Sequence, residues 1–221
     1  MYRLVRWTMA LALTCCASVP AGASATQWLA KIDPGEQGAQ GSFGFGVWPG
    51  FQDGWDGLPP ADVTTSPGIY LNLFKVNGPS WSGPTGFYSS DRESPIPTGG
   101  SKTWSEIRLW SYNYTPPLGD RVRTSLLRAY PAPTGYWAQL VLDYVPASLN
   151  WTGPREWWFP LWQTAGYGAS PLPCPVTDDP FNPDNVTRMH LTVYTIPEPC
   201  SLAGIGLALA GLAGALRRRR K

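Results

Sequence analysis

Side chains that could carry catalysis are few in this sequence of 221 residues. His190 is the only histidine, so the chain has no multi-histidine metal site and only one candidate imidazole base. The alternation of its predicted strand turns His190 outward, which favours a solvated side chain over a catalytic base. Cys174 lies between two prolines, without a helix N-terminus to favour the thiolate, and we expect it to be buried and inert. No serine occupies a Gly-x-Ser-x-Gly elbow, so we assign no catalytic residue.

Carboxylates are more numerous, and they gather in two turn-rich segments: Asp53, Asp56 and Asp62 in the first, and Asp178, Asp179 and Asp184, with Asn182 and Asn185, in the second. Loops rich in oxygen ligands can hold Ca²⁺, but neither spacing matches a calcium loop or ends in a bidentate glutamate. Because Asp and Asn are favoured turn residues, we prefer a turn role and assign no metal. Two carboxylates could also serve a polysaccharide hydrolase, but the sequence does not give the separation that this chemistry requires.

Tryptophan is the unusual residue of this chain, which contains 12 of them. Exposed indole rings can stack on the apolar faces of sugar rings, whereas buried indoles dominate core packing because of their large area. Trp55 and Trp81 lie in glycine-rich turns and are therefore the candidate carbohydrate-binding residues. Four tryptophans in predicted strands are assigned instead to the core: Trp104, Trp110, Trp137 and Trp158.

The last 26 residues consist of three ordered parts. The motif Pro197-Glu198-Pro199 cannot continue a helix or strand, because each proline lacks a backbone donor and fixes φ. Residues 201–216 contain no charge and predict an apolar helix, about 24 Å long against a hydrocarbon core of about 30 Å. Five cations then end the sequence and would stop translocation: Arg217, Arg218, Arg219, Arg220 and Lys221.

In this order, the three parts resemble the PEP-CTERM sorting domain of exported Gram-negative proteins. The resemblance covers residues 196–221 and departs from the commonest pattern at Cys200, directly after the motif. It implies that an exosortase, a membrane protease-transpeptidase, recognises the tail and removes it. Until the tail is removed, the precursor would be held in the inner membrane; afterwards the protein would reach the cell surface or the extracellular space.

The N-terminus predicts export through the Sec machinery. Arg3 and Arg6 precede an apolar run, and small residues follow it, so residues 1–25 have the pattern of a signal peptide. Without the two targeting ends, ten cations and fourteen acids remain between residues 26 and 196, a net charge of about −4. The cations are scattered, which gives no reason to expect a nucleic-acid partner.

The exported body, residues 26–196, predicts an all-β fold. Aromatic and β-branched runs alternate with Gly and Pro, and seven candidate strands cover residues 41–48, 68–76, 102–114, 121–129, 136–144, 157–163 and 186–194. A bulge is expected between Trp104 and Ile107, and a similar slip between Trp137 and Leu140. In the last strand, Met189, Leu191 and Val193 should face the core.

Short strands separated by turns favour an antiparallel β-sandwich, of immunoglobulin, fibronectin or jelly-roll type. Residues 45–57, followed by Pro59 and Pro60, loosely resemble the start of immunoglobulin-like or fibronectin-like modules in bacterial envelope proteins. We therefore expect a non-enzymatic envelope or matrix protein, associated with exopolysaccharide in a biofilm matrix and needing no cofactor. The alternatives are a carbohydrate-binding module that uses exposed Trp55 and Trp81, and, less favoured, a hydrolase.

Overall fold

The computed structural model describes residues 27–35, 39–51, 53–55, 57–61, 66–130, 132–162 and 171–195. Apart from one short 3₁₀ turn (Ala147–Leu149), the regular elements in these residues are strands. They are β1 (Trp28–Pro34), β2 (Phe43–Val47), β3 (Gly68–Lys75), β4 (Gly86–Tyr88), β5 (Ser90–Glu93), β6 (Ser101–Tyr112), β7 (Arg121–Val122), β8 (Thr124–Tyr130), β9 (Tyr136–Tyr144), β10 (Glu156–Pro160), β11 (Leu172–Pro173) and β12 (Thr187–Thr195).

The strands form three sheets. The largest has the order β10-β9-β12-β6-β3-β4, and all its neighbours are antiparallel. The second has the order β5-β2-β1-β8, in which only the β2–β5 pair is parallel, and β7 and β11 make a third, two-stranded sheet. The expected all-β, mainly antiparallel fold is therefore confirmed.

One buried cluster joins residues of the two larger sheets. Trp28 of β1 and Phe45 of β2 meet Trp104 of β6 with ring centroids 6.5 and 5.5 Å apart. Trp28 also contacts Phe45 at 6.0 Å and Tyr136 of β9 at 5.9 Å, both edge to face. Edge-to-face contacts of this kind add to the stabilisation that comes from burying the rings.

A bulge in β6 brings Trp104 into this cluster. Met189 pairs with Ile107, but Leu191 pairs with Trp104, so three steps along β6 match two along β12. Glu106 takes up the extra residue with φ +61°, a left-handed conformation that is uncommon for a glutamate. The predicted bulge is thus confirmed, as is the core position of Met189, Leu191 and Val193.

The prediction of a slip between Trp137 and Leu140 in β9 is wrong. Tyr136, Ala138, Leu140 and Leu142 alternate without interruption as buried residues, which places Trp137 on the opposite face of the sheet. There, Trp137 contacts Trp162 edge to face at 5.1 Å rather than joining the buried cluster of Trp28, Phe45 and Trp104.

The outer face of the six-stranded sheet carries a second, smaller aromatic cluster at its β6-β3-β4 end. Trp110 stacks on Tyr70 at 5.4 Å and contacts Phe87 at 4.6 Å. The buried Arg108 guanidinium lies 3.8 Å from the Phe74 ring centre and donates to the carbonyls of Pro180 and Phe181. Trp110 is therefore buried as expected, but on the outer side of its sheet.

Several sequence-based predictions lie outside the described residues. They concern the signal peptide (residues 1–25), the motif and tail (residues 197–221) with the apolar span (residues 201–216), Asp56 and Asp62. Within the described part of the chain, no helix is long and apolar enough to cross a bilayer.

Replacing Trp104 by alanine should lower the free energy of unfolding by about 3–5 kcal/mol, because it removes the ring that contacts both sheets and leaves a cavity. Urea denaturation followed by circular dichroism measures the loss. Trp55→Ala, at an exposed ring, is the matched control and should change stability by less than about 1 kcal/mol. Equal losses in the two variants would contradict the central role of Trp104.

Candidate functional site

The other end of the same outer face, on β10, β9 and β12, presents an exposed aromatic group. Trp158 pairs with Gln139, and Gln139 pairs with Thr192, so these side chains stand in one row across three strands. Tyr194 lies two residues beyond Thr192, on the same face because side chains alternate along a strand. We call Glu156, Trp158, Gln139 and Tyr194 the aromatic platform.

Contacts among these four residues form a closed circuit. The Trp158 indole Nε1 donates to Glu156 Oε1, and Gln139 Nε2 donates to the same oxygen at 2.9 Å. The Tyr194 hydroxyl donates to Gln139 Oε1 at 3.0 Å. The Tyr194 ring stacks on Trp158, with centroids 5.6 Å and planes 27° apart. Each side chain is therefore fixed by two others, although 51% of Trp158 remains exposed.

The acid of the platform is kept in its charged form. Hydrogen bonds from Gln139 and then from Trp158 lower the pKa of Glu156, and they outweigh a small opposing effect of burial. The carboxylate is thus an acceptor that orients the indole. An exposed ring that is already held in place loses little conformational freedom when a ligand stacks on it.

Polar and aromatic side chains surround the platform. Trp137 precedes Gln139 by two residues on β9 and pairs with Tyr194. On the other side, His190 lies across Val141 from Glu156, and its Nδ1 is 2.7 Å from Asp143 Oδ1. His190 faces outward as predicted, but it is partly buried and bonded to a carboxylate. Apolar ring faces flanked by donors and acceptors suit a ligand that has both C–H faces and hydroxyl groups, such as a sugar.

The tryptophans chosen from the sequence occupy other places. Trp81 is only 4% exposed and packs edge to face on Tyr88, so its candidacy as an exposed sugar-stacking residue is wrong. Trp55 is 40% exposed, but its Nε1 donates to the Leu58 carbonyl and one ring face lies against Gly83. The expected core position of Trp158 is also wrong, since its strand turns it to the outer face.

A second group of titratable side chains joins the two larger sheets at one end. Lys102 of β6 contacts Asp53 and lies 3.8 Å from the Glu93 carboxylate of β5. Asp53 also accepts hydrogen bonds from the Ser94 amide at 3.1 Å and hydroxyl at 2.6 Å. We call Asp53 and Glu93, both in contact with Lys102, the carboxyl pair. The sequence did not indicate this pair, because 40 residues separate the two acids.

The folded structure shifts the pKa values of the two acids in opposite directions. Burial is the largest cause that raises the pKa of Glu93 to about 8, followed by the charge of Asp91 and a hydrogen bond to Asp53, while Lys102 acts the other way. Burial also raises the pKa of Asp53, but hydrogen bonds from Lys102, Ser94 and Glu93 hold it well below its usual range. The raised pKa favours the protonated form of Glu93 at neutral pH, and in that form its carboxyl can donate to Asp53.

This arrangement does not fit glycoside hydrolysis. Retaining and inverting hydrolases need carboxyl groups about 5–9.5 Å apart, with substrate or water between them. Two carboxyls that share a hydrogen bond are closer than that. The group instead fastens the loop that contains Asp53 and Trp55 to both sheets.

The second acidic segment is occupied by turn contacts. The Asp179 carboxylate accepts a hydrogen bond from the backbone N–H of Asn182 at 3.3 Å. The Asn182 side-chain oxygen accepts one from the backbone N–H of Asp184 at 3.0 Å. In the described ranges, no three His, Cys, Asp or Glu side chains are placed to hold a metal. Cys174 is a fully buried thiol, as expected.

Comparisons with known proteins found no matching family model, no similar curated protein and no similar solved structure.

The carboxyl pair predicts a specific pH dependence of stability. Because the folded state raises the pKa of Glu93, it binds this proton more tightly than the unfolded chain, and the free energy of unfolding should fall as pH rises from about 4.5 to about 8. After allowance for solvent screening, we expect a fall of about 1–3 kcal/mol.

Glu93→Gln mimics the protonated acid and should remove that part of the slope, as measured by urea denaturation at pH 5 and pH 9. Asp178→Asn, in an exposed loop, is the control and should keep the parent slope. Below about pH 4 all three proteins should lose stability, because the unfolded chain then binds a proton at Asp53 more readily than the folded protein does. An unchanged slope in Glu93→Gln would rule out the shared proton.

Proposed function

We propose that the chain is the precursor of an exported, non-enzymatic protein of the cell envelope or extracellular matrix that binds polysaccharide through the aromatic platform. One observation carries the binding function: Trp158 is half exposed, yet it is fixed by a hydrogen bond to Glu156 and by stacking on Tyr194. Water exposure of a large apolar ring is unfavourable, so a ring held open in one orientation is explained best by a ligand.

The body is proposed to be a β-sandwich. The contacts that Trp104 makes with Trp28 and Phe45 support face-to-face packing of the two larger sheets, since these rings belong to different sheets. The platform would then lie on the outer surface of the sandwich, where a long polymer could pass across β10, β9 and β12 without entering a closed pocket.

The proposal also includes sorting by the C-terminal tail, in which Pro197-Glu198-Pro199 is the recognition motif and Arg217 to Lys221 are the membrane stop. The end of the described fold is compatible with this. β12 pairs with its neighbours through Thr195, and Thr195 donates to the carbonyls of Pro97 and Gly100. Removing residues 201–221 would take no residue from the described sheets.

Trp158→Ala should weaken binding to a soluble β-linked glucan about 10- to 100-fold, taking base stacking of about 1–3 kcal/mol as the analogue. Affinity gel electrophoresis in polysaccharide-containing gels measures it. Stability should change by less than about 1 kcal/mol, because the ring is half exposed. Trp55→Ala is the matched control and should bind like the parent. Loss of binding in Trp55→Ala alone would move the site to the Trp55 loop, and a parent that binds no polysaccharide would end the binding proposal.

The mature protein from the native host should lack residues 201–221, as judged by intact-mass spectrometry. Replacing Pro197, Glu198 and Pro199 by alanine should leave the full-length precursor in the inner membrane, because the extended recognition motif is gone. Replacing the four terminal arginines by lysine is the control; it keeps the positive charge and should not disturb processing. Mature material that still carries Arg217–Lys221 would show that the tail is a plain anchor.

A further inference from the structure

The charge of the aromatic platform narrows the class of polysaccharide that fits it. Glu156 is an exposed carboxylate in contact with the Trp158 indole, and Asp143 adds a second acid on the same face of β9. Arg188, the strand cation nearest to them on β12, is engaged elsewhere: it lies 3.6 Å from Glu106 and 4.9 Å from the centre of the Tyr144 ring. Asp143 is paired with His190, whereas Glu156 has no ion-pair partner among the described residues. Arg155, the cation next to Glu156 in the chain, lies instead beside Asn150 and Trp151.

Glu156 keeps binding capacity for a ligand. The hydrogen bonds from Trp158 and Gln139 both end on Oε1, and no hydrogen bond from the described residues reaches Oε2. A carboxylate has about four acceptor positions, so Oε2 and part of Oε1 face solvent. Because Oε1 touches the indole Nε1, these open acceptors lie beside the edge of any ring that stacks on Trp158.

We propose that the aromatic platform selects sugar chains that carry free amino groups, a cationic hexosamine polymer, and that Glu156 is the residue that selects them. This inference rests on the proposed polysaccharide-binding function. The sugar ring stacks on Trp158, and an ammonium group at its edge donates to Glu156 Oε2.

Two effects favour an amino sugar over its neutral analogue. A hydrogen bond from an ammonium to a carboxylate is about twice as strong as one between neutral groups. The face of an indole also attracts cations, and tryptophan is the best aromatic partner for them, so other amino groups of the chain that lie over the Trp158 ring add to the preference. A uronic acid polymer would instead bring its carboxylates towards Glu156, and like charges disfavour that approach.

The test uses the purified full chain in a detergent without a sugar headgroup, so that detergent does not compete for the platform. Binding is measured by isothermal titration calorimetry at pH 6 with three probes: a glucosamine hexamer, an N-acetylglucosamine hexamer and a galacturonate hexamer. Amino groups of this kind are largely protonated at that pH. The parent should bind the glucosamine hexamer about ten-fold more tightly than the N-acetylated one, and the galacturonate most weakly.

Glu156→Gln keeps a side-chain carbonyl that can accept from Trp158 and Gln139, but it removes the charge. It should lose about ten-fold in affinity for the glucosamine hexamer and little for the neutral hexamer. In the parent, the ten-fold preference for the glucosamine hexamer over the N-acetylated one should shrink when the salt concentration is raised from 50 mM to 500 mM. Asp178→Asn removes one charge from an exposed loop and should keep the parent's preference.

The outcomes separate the two proposals. Equal affinity of the parent for the glucosamine and N-acetylglucosamine hexamers, with both weakened in Trp158→Ala, would overturn the selectivity and leave the binding function intact. An equal loss of preference in Glu156→Gln and Asp178→Asn would also overturn it, because net charge alone would then explain the effect. No binding of any hexamer would overturn both proposals.

Discussion

The contact of Trp104 with Trp28 and Phe45 is the interaction on which the rest of the described structure depends. It buries large rings from both sheets in one cluster, and it requires the bulge at Glu106 to bring Trp104 to the inner face. Once that face is fixed, the alternation of side chains along β9, β10 and β12 decides on which face of the sheet each of their residues lies. Gln139, Trp158 and Tyr194 face outward because their strand neighbours face inward.

The sequence predicts this fold where one face of a strand is clearly apolar. Met189, Leu191 and Val193 alternate with polar residues, and the β12 prediction is therefore correct. The spacing of Trp104 and Ile107 allows a common face only with a bulge, which β6 contains. In contrast, β1 was missed, because Lys31, Asp33 and Pro34 obscure the alternation of its buried Trp28, Ala30 and Ile32.

The candidate site was harder to predict, for two physical reasons. Trp137 and Trp158 lie in strands whose two faces both carry apolar residues, so periodicity does not say which ring is buried. Hydrophobicity alone then predicts a core position for both rings. Only the register of β9 with β12 shows that this prediction is wrong. Asp53 and Glu93 belong to a loop and an edge strand that tertiary folding brings together, and no local pattern reports such a meeting.

The position of β12 has a consequence for the order of folding. β12 is the last described strand in the chain, yet it lies inside the six-stranded sheet, between β9 and β6. Without it, the sheet consists of two separate pieces, β10-β9 and β6-β3-β4, which have no direct hydrogen-bonded pairing. Because long-range pairing of this kind is slow, a chain that crosses a membrane from its N-terminus would stay largely unfolded until Thr195 has emerged on the far side. For a chain that is exported, as we propose here, this topology would by itself delay folding until transport of the body is complete.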